Sequence, residues 1–334
     1  MRRFPYKSTK FVQFDFMGKN VKIIFNPSEI AAGTRGASLG PEAIRVAARK
    51  IGSRLFQTNT VEVLPDHNNC LEQENRFVHA KHIDILLKVY ESTSTVISQA
   101  LMQHEFPLVI AADHASAGGT IAGIKMAFPD KKLGVIWIDA HGDLHSPYTT
   151  PSGNMHGMPL TTVLGDDNIP CKINNPDNDT IEHWEKLKNI GIPGRKVSPE
   201  DLVFVAVRDT ESQEEAIIDR LGIKNYTVDS LRTHGATNLA NEILNKLTNC
   251  DLIYISFDVD SMDPDVTSYG TGTPVKNGLF PEEVKELLSV LMTSEKIVCF
   301  ELVEVNPCLD DKKNKMAETA LEILEGVNTA LEQK

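Results

Sequence analysis

Eight short runs rich in β-branched residues recur along the chain, at residues 20–26, 60–65, 106–113, 132–139, 201–207, 224–230, 251–258 and 296–306, with segments of helical period between them. A run such as KLGVIWID has no polar alternation, which suits a strand covered on both faces. Strands alternating with helices call for a parallel sheet with helices packed above and below it. The fold class expected is therefore α/β: a three-layer, mostly parallel eight-stranded sheet with helices on both faces. The helices can be read from their ends. SLGPEAIRVAARKIGSRL carries Pro41 near its first turn, and FPEEVKELLSVLM opens with Pro281, Glu282 and Glu283, residue types that favour a helix N-terminus.

No linker, repeat or low-complexity tract divides the 334 residues, so residues 1–334 are expected to form one domain. The least regular part is 165–200, which reads as a polar loop with room for one short helix. A net charge of −12 and the lack of a long Lys/Arg cluster argue against nucleic acid and against an anionic membrane surface. The N-terminal MRRFPYKSTKFVQFDF has no apolar stretch behind its basic residues and reads as no secretory signal, and nowhere do eighteen apolar residues run together; a cytoplasmic protein is expected. Five scattered cysteines without a CxxC pair suggest free, mostly buried thiols rather than disulfides or a thiolate metal site.

In an open α/β sheet, ligands bind beyond the carboxyl ends of the strands. Here those ends read Asp113-His114, Asp139-Ala140-His141-Gly142-Asp143, Arg208-Asp209, Asp258-Val259-Asp260 and Glu304. If extended geometry persists past the fourth run, Asp139, His141 and Asp143 point the same way, and Asp258 and Asp260 repeat that spacing. With His114 this makes four aspartates and two histidines, an all-oxygen-and-nitrogen set that suits Mn2+, Co2+ or Fe2+. Two such ions about 3.5–4 Å apart can share a water and lower its pKa towards about 7, which generates a hydroxide nucleophile near neutral pH. No GxSxG elbow, Cys/His pairing or phosphate-cradling loop offers another chemistry.

A single DxD at a strand end would be weak, since Asp is common in turns, and Asp263 and Asp265 are expected to serve only there. His67, His79, His82, His104, His183 and His234 are expected to be surface or structural residues. The combination of DxHxD with DxD on a different strand is what favours metal.

At this point the residues resemble a known family, the ureohydrolases, and within it the bacterial-type arginases. The family's GGDHS is met by AADHA (111–115), DAHxD by DAHGD (139–143), SGNxHGxP by SGNMHGMP (152–159), SFDxDxxDP by SFDVDSMDP (256–264) and EVNP by EVNP (304–307), in order. The resemblance implies an arginase-like fold and two divalent ions, Mn2+ foremost and Co2+ as the alternative. It implies that one ion is held by His114, Asp139, Asp143 and Asp258 and the other by Asp139, His141, Asp258 and Asp260. His156 is the implied proton shuttle, Glu304 the residue facing the guanidinium, and Asp143 a further catalytic residue. His145, Ser152, Asn154 and Glu211, with Glu304, are the implied substrate contacts. The expected reaction is hydrolysis of L-arginine to L-ornithine and urea by a metal-bridging hydroxide, in a homo-oligomer.

The chain also departs from the family pattern. Many arginases have Asn at the position of His145 and Asp at that of Glu211, while two glycines and a serine of GGDHS have become Ala111, Ala112 and Ala115. The alternatives are agmatinase, guanidinobutyrase or formimidoylglutamase activity at the same ions, or a metal-binding homologue without catalysis.

Overall fold

A computed structural model describes residues 20–334; the N-terminal MRRFPYKSTKFVQFDF lies outside the described residues. Eight strands form one sheet: β1 (Asn20–Asn26), β2 (Thr60–Val63), β3 (Glu105–Ala111), β4 (Leu133–Ile138), β5 (Leu202–Val205), β6 (Lys224–Tyr226), β7 (Leu252–Asp258) and β8 (Ile297–Val303). Each begins within a residue of an expected run. Their order is β2-β1-β3-β8-β7-β4-β5-β6, and every pairing is parallel. The run at 224–230 is strand only to Tyr226, because Thr227 accepts a hydrogen bond from Ser230 N and starts the helix Val228–His234.

Because side chains alternate across a strand, the two sheet faces carry separate cores. Ile136 and Ile138 join one apolar cluster, with Ile44, Leu239, Leu287 and Leu324 of the helices Gly40–Ile51, Ala236–Lys246, Pro281–Leu291 and Lys315–Glu332. Val135 and Trp137 join the other, with Ile97, Ile121, Leu160 and Ile217 of the helices Ile83–Met102, Ser116–Ala127, Pro159–Leu164 and Ser212–Leu221. The three layers expected are therefore present.

The segment 165–200 is more ordered than its polarity suggests. It contains the helix Asn178–Lys188, capped by Asp177, whose Trp184 is fully buried beside Phe77 and Ile83. The indole Nε1 donates to Asp167 at 2.8 Å, and Lys188 pairs with the same carboxylate. Of the five free cysteines only Cys250 and Cys299 are buried; Cys70 and Cys171 are half-buried and Cys308 is exposed, which corrects the expectation of mostly buried thiols. Among the described residues no helix is long and apolar enough to cross a membrane.

The helices Ile83–Met102 and Ser116–Ala127 approach closely where the latter presents glycines. A Cβ at Gly123 would lie 2.7 Å from the backbone oxygen of Ser94 and 2.7 Å from Ile97 Cβ, whereas one at the exposed Gly326 in the last helix would meet nothing within 4 Å. Both positions gain helix propensity on becoming alanine, by up to about 1 kcal/mol. Gly123→Ala is nonetheless expected to lower stability by about 1–3 kcal/mol through overpacking, while Gly326→Ala raises it by about 0.5–1 kcal/mol. Denaturant unfolding of the two variants checks this, and a stabilised Gly123→Ala would refute the close packing.

Candidate metal centre

The four strands β3, β8, β7 and β4 are consecutive neighbours, so the residues just beyond their carboxyl ends share one patch of the sheet edge. His114 follows β3, Asp139, His141 and Asp143 follow β4, Asp258 ends β7 with Asp260 two residues on, and Glu304 follows β8. His114 Nδ1 lies 2.9 Å from Asp139 Oδ2, 3.2 Å from Asp143 Oδ2 and 3.2 Å from Asp258 Oδ2. His141 Nδ1 lies 3.0 Å from Asp260 Oδ2 and 3.5 Å from Asp139 Oδ1. Two groups of ligand atoms result, and Asp139 belongs to both.

Extended geometry does not persist in either motif. Asp139 Oδ1 accepts from His141 N at 2.7 Å, and Asp258 Oδ1 accepts from Asp260 N at 2.8 Å. Each aspartate thereby closes a turn on its own backbone and bends the chain out of the strand. Asp143 then sits in the left-handed region, at φ 50°. The side chains meet through these turns rather than along one extended ledge. The same bonds occupy one oxygen of each carboxylate and leave the other free.

Whether the cluster fits cations is decided by its unpaired atoms. His114 Nδ1 and Asp139 Oδ2 are buried and neither makes a hydrogen bond, despite their short separation. Buried polar atoms that no hydrogen bond satisfies call for another partner, such as a cation. The His114 ring is fixed in that pose by stacking on Trp137, with centroids 4.0 Å apart and planes 5° apart, and by Nε2 at 2.7 Å from Ser256 Oγ. With no thiolate present, the donor set suits hard or borderline divalent ions.

The charges tell the same story. Burial, and then the neighbouring Asp139 charge, pushes Asp143 up to about 6. Burial and the neighbouring carboxylates also raise Asp258 and Asp260. Asp139 is also buried, yet contact with both histidines holds it below the usual carboxylate range.

His114, His141, Asp143, Asp258 and Asp260 line a cleft of about 310 Å3 together with Glu304, His156, His145, Ser152, Asn154 and Glu211. Glu304, at φ 69°, accepts from His114 N at 3.2 Å and contacts His156 Nδ1 at 3.2 Å through the same oxygen. Burial pulls the His156 pKa down, but Glu304, Asp143 and Asp113 more than offset this and push it up to about 9. His156 is held by its N–H on Ala31 O, and Ala31 N donates to Asp113, so the loop after β1 backs the site.

His145 lies between Thr149 Oγ1 (3.2 Å) and Glu211 Oε2 (3.1 Å), and its backbone N–H donates to Gly157 O, next to His156. Ser152 and Asn154 border the cleft on the turn of Gly153, whose φ is 77° and where a Cβ would strike Val78 O at 2.1 Å. The expected site residues thus line one cleft, except Asp139, which lies against two of the lining residues, His114 and His141.

Glu214, Thr273 and Thr150 line it too and were not singled out from the sequence, and so does Asp209, noted there only as a strand-end residue. Glu214 was the most legible, as the second acid of a Glu-x-x-Glu capping box. Its oxygens accept from Glu211 N (3.2 Å) and Leu144 N (3.0 Å), tying the start of its own helix to the segment after β4. Although His145, Glu211 and Glu214 bring ligand-type atoms together, both Glu214 oxygens are taken by these amides. This group is a helix cap rather than a third cradle.

The altered AADHA stretch needs no glycine, since neither Ala111 nor Ala112 has positive φ. Ala111 pairs with Asn26 and Val303 in the sheet. In place of a serine at 115, Asp113 Oδ1 accepts from Ala115 N at 3.0 Å.

Comparison with known proteins gives a consistent set of likenesses. Residues 19–328 match the Arginase family. The chain is 35% identical over 312 residues to the arginase of Bacillus subtilis (strain 168), covering 93% of this chain and 98% of that one. It superposes on the crystal structure of arginase from Bacillus cereus with a TM-score of 0.77 at 30% identity, covering 92% and 98% of the two chains. The formimidoylglutamase of Bacillus subtilis subsp. subtilis str. 168 gives a TM-score of 0.70 at 20% identity, covering 94% of this chain and 87% of that one, a likeness of fold alone.

Protons and cations compete for these ligands. As pH falls through about 6 Asp143 takes up a proton, and Asp258 and Asp260 do so above the ordinary carboxylate range. The histidines are raised by their acidic partners, although burial opposes this, and must lose a proton to ligate. Cation binding is therefore expected to release protons and to weaken as pH is lowered from 7.5 to 5.5. Calorimetric titration of metal-free protein with Mn2+ in buffers of different ionisation enthalpy reads both; affinity independent of pH, with no proton release, would contradict the assignment.

Proposed function

The chain belongs to the arginase family, and on that premise we propose that it hydrolyses the guanidinium group of L-arginine to give L-ornithine and urea. Mn2+ is the ion proposed for both positions, with Co2+ able to replace it, because the donors are carboxylate and imidazole only. The observation that carries the reading is the pair of buried atoms His114 Nδ1 and Asp139 Oδ2, neither satisfied by a hydrogen bond, at a cleft that Glu304 and His156 also line. When bound, two divalent cations make a water acidic enough to attack near neutral pH.

The chain's own residues position and protonate. Glu304 is proposed to accept N–H groups of the guanidinium in a charge-assisted pair, which orients the planar group over the cluster. As the bond from the guanidinium carbon to the side-chain nitrogen breaks, that nitrogen needs a proton. His156, whose Nδ1 touches Glu304, is placed to deliver one and to be recharged from solvent. Asp143 is proposed to serve both as ligand and as hydrogen-bond acceptor for the attacking water. His145, Ser152, Asn154 and Glu211, which line the same cleft, are proposed to receive the amino-acid part of the substrate.

One sheet carries the whole ligand set, so residues 1–334 are proposed to act as one domain. A homo-oligomeric state and a cytoplasmic location accompany the reading, and sedimentation velocity tests the first.

Metal-loaded protein is expected to release urea from L-arginine and to prefer it to agmatine, 4-guanidinobutyrate and formiminoglutamate. Chelation should abolish the activity, Mn2+ or Co2+ should restore it, and Asp258→Asn should cost both metal content and turnover. Full turnover by protein shown to be metal-free by elemental analysis would sink the proposal; preference for another member of the panel would change the substrate, and loaded protein inert on all four would be a non-catalytic homologue.

His156→Ala is expected to lower kcat by about 10²–10⁴ while metal content stays at two ions per chain, since proton transfer typically contributes that much. Wild-type kcat in this variant, measured by urea release, would return His156 to the role of a loop residue.

A further inference from the structure

Seven carboxylates line the cleft and no lysine or arginine does. A guanidinium is welcome there, but a substrate that also carries a carboxylate must place it among like charges. The nearest cation to the cleft's Ser152–Asn154 rim is one shell back. Lys81 Nζ donates to Asn154 Oδ1 at 2.9 Å, and Lys81 N donates to Gly153 O at 2.8 Å. Lys81 is half-buried, and among the described residues it forms no ion pair, so its charge is not cancelled locally.

The same contact fixes the Asn154 amide. With its oxygen taken by the ammonium, its nitrogen faces the other way, close over Gly33, where a Cβ would lie only 2.8 Å from Nδ2. The amide cannot turn over without setting its NH2 group against the Lys81 ammonium, so Nδ2 stays a donor on the side away from Lys81. Asn154 N meanwhile donates to Ser152 Oγ at 3.1 Å, which leaves the serine O–H free to donate elsewhere.

We propose that Lys81 is a specificity-determining residue. By holding the Asn154 amide and setting an uncompensated positive charge behind the Ser152–Asn154 rim, it favours guanidino substrates that bear a carboxylate over their decarboxylated counterparts. The proposal rests on the reading that this rim receives the amino-acid end of the substrate.

The test measures binding rather than turnover. L-ornithine and 1,4-diaminobutane, which differ only in the carboxylate, are titrated calorimetrically into metal-loaded wild type, Lys81→Met and Lys81→Arg, with metal content checked in each. Lys81→Met is expected to weaken L-ornithine about tenfold, the scale of one charge-assisted contact, without weakening 1,4-diaminobutane. Lys81→Arg should recover most of the difference. Equal weakening of both ligands would overturn the proposal and leave Lys81 as a tether between two loops; so would unchanged L-ornithine affinity in Lys81→Met. Wild type that binds L-ornithine with this dependence yet fails to hydrolyse L-arginine overturns the functional reading and leaves the role of Lys81 standing.

Discussion

Asp139 stands between two imidazoles, one oxygen 2.9 Å from His114 Nδ1 and the other 3.5 Å from His141 Nδ1, with three further aspartates crowded round the same histidines. Burying so much negative charge is unfavourable unless cations or protons answer it. Much of the architecture serves to hold the group together. The central strands β3, β8, β7 and β4 bring its members side by side, and the stacked Trp137 and Ser256 fix one imidazole. The loop after β1 closes over the back of the site through Asp113 and His156.

The layered fold was legible because a strand covered on both faces leaves an uninterrupted apolar run, as in residues 133–138. The candidate ligands were legible because strand ends are where such a sheet places chemistry. What the sequence reading missed is local bonding. Nothing in the spacing of DAHGD distinguishes a strand from a turn, and the turn forms because the Asp139 side chain takes the backbone N–H two residues on. The buried indole in 165–200 was missed for a similar reason: one Trp in a polar stretch has no period to betray it, and its burial depends on Asp167 being near in space. Glu214 and Lys81 act through single hydrogen bonds to residues far along the chain, and no pattern in one sequence announces such pairs.

Three residues just past strand ends adopt backbone angles that side chains usually avoid: Asp143 at φ 50°, Ala206 at φ 69° and Glu304 at φ 69°. Left-handed geometry costs a non-glycine residue about 1–2 kcal/mol, and aspartate least among these types. For Glu304 the cost is offset by what the turn achieves. It directs a carboxylate from the end of a fully buried strand onto both His114 N and His156. Six other non-glycine residues among those described also have positive φ, so it is the contacts of Glu304, rather than its strain alone, that tie this turn to the site.

The strand order carries a consequence for how the site is completed. Strands β2, β1 and β3 pair among themselves, as do β4, β5 and β6, but the two triplets touch only through β7 and β8. Without β7 and β8, the inner edges of β3 and β4 would leave their backbone N–H and C=O groups unpaired. Open apolar edges invite pairing with other chains. Asp258, Asp260 and Glu304 lie at the ends of β7 and β8, so the strands that join the sheet into one also complete the ligand set.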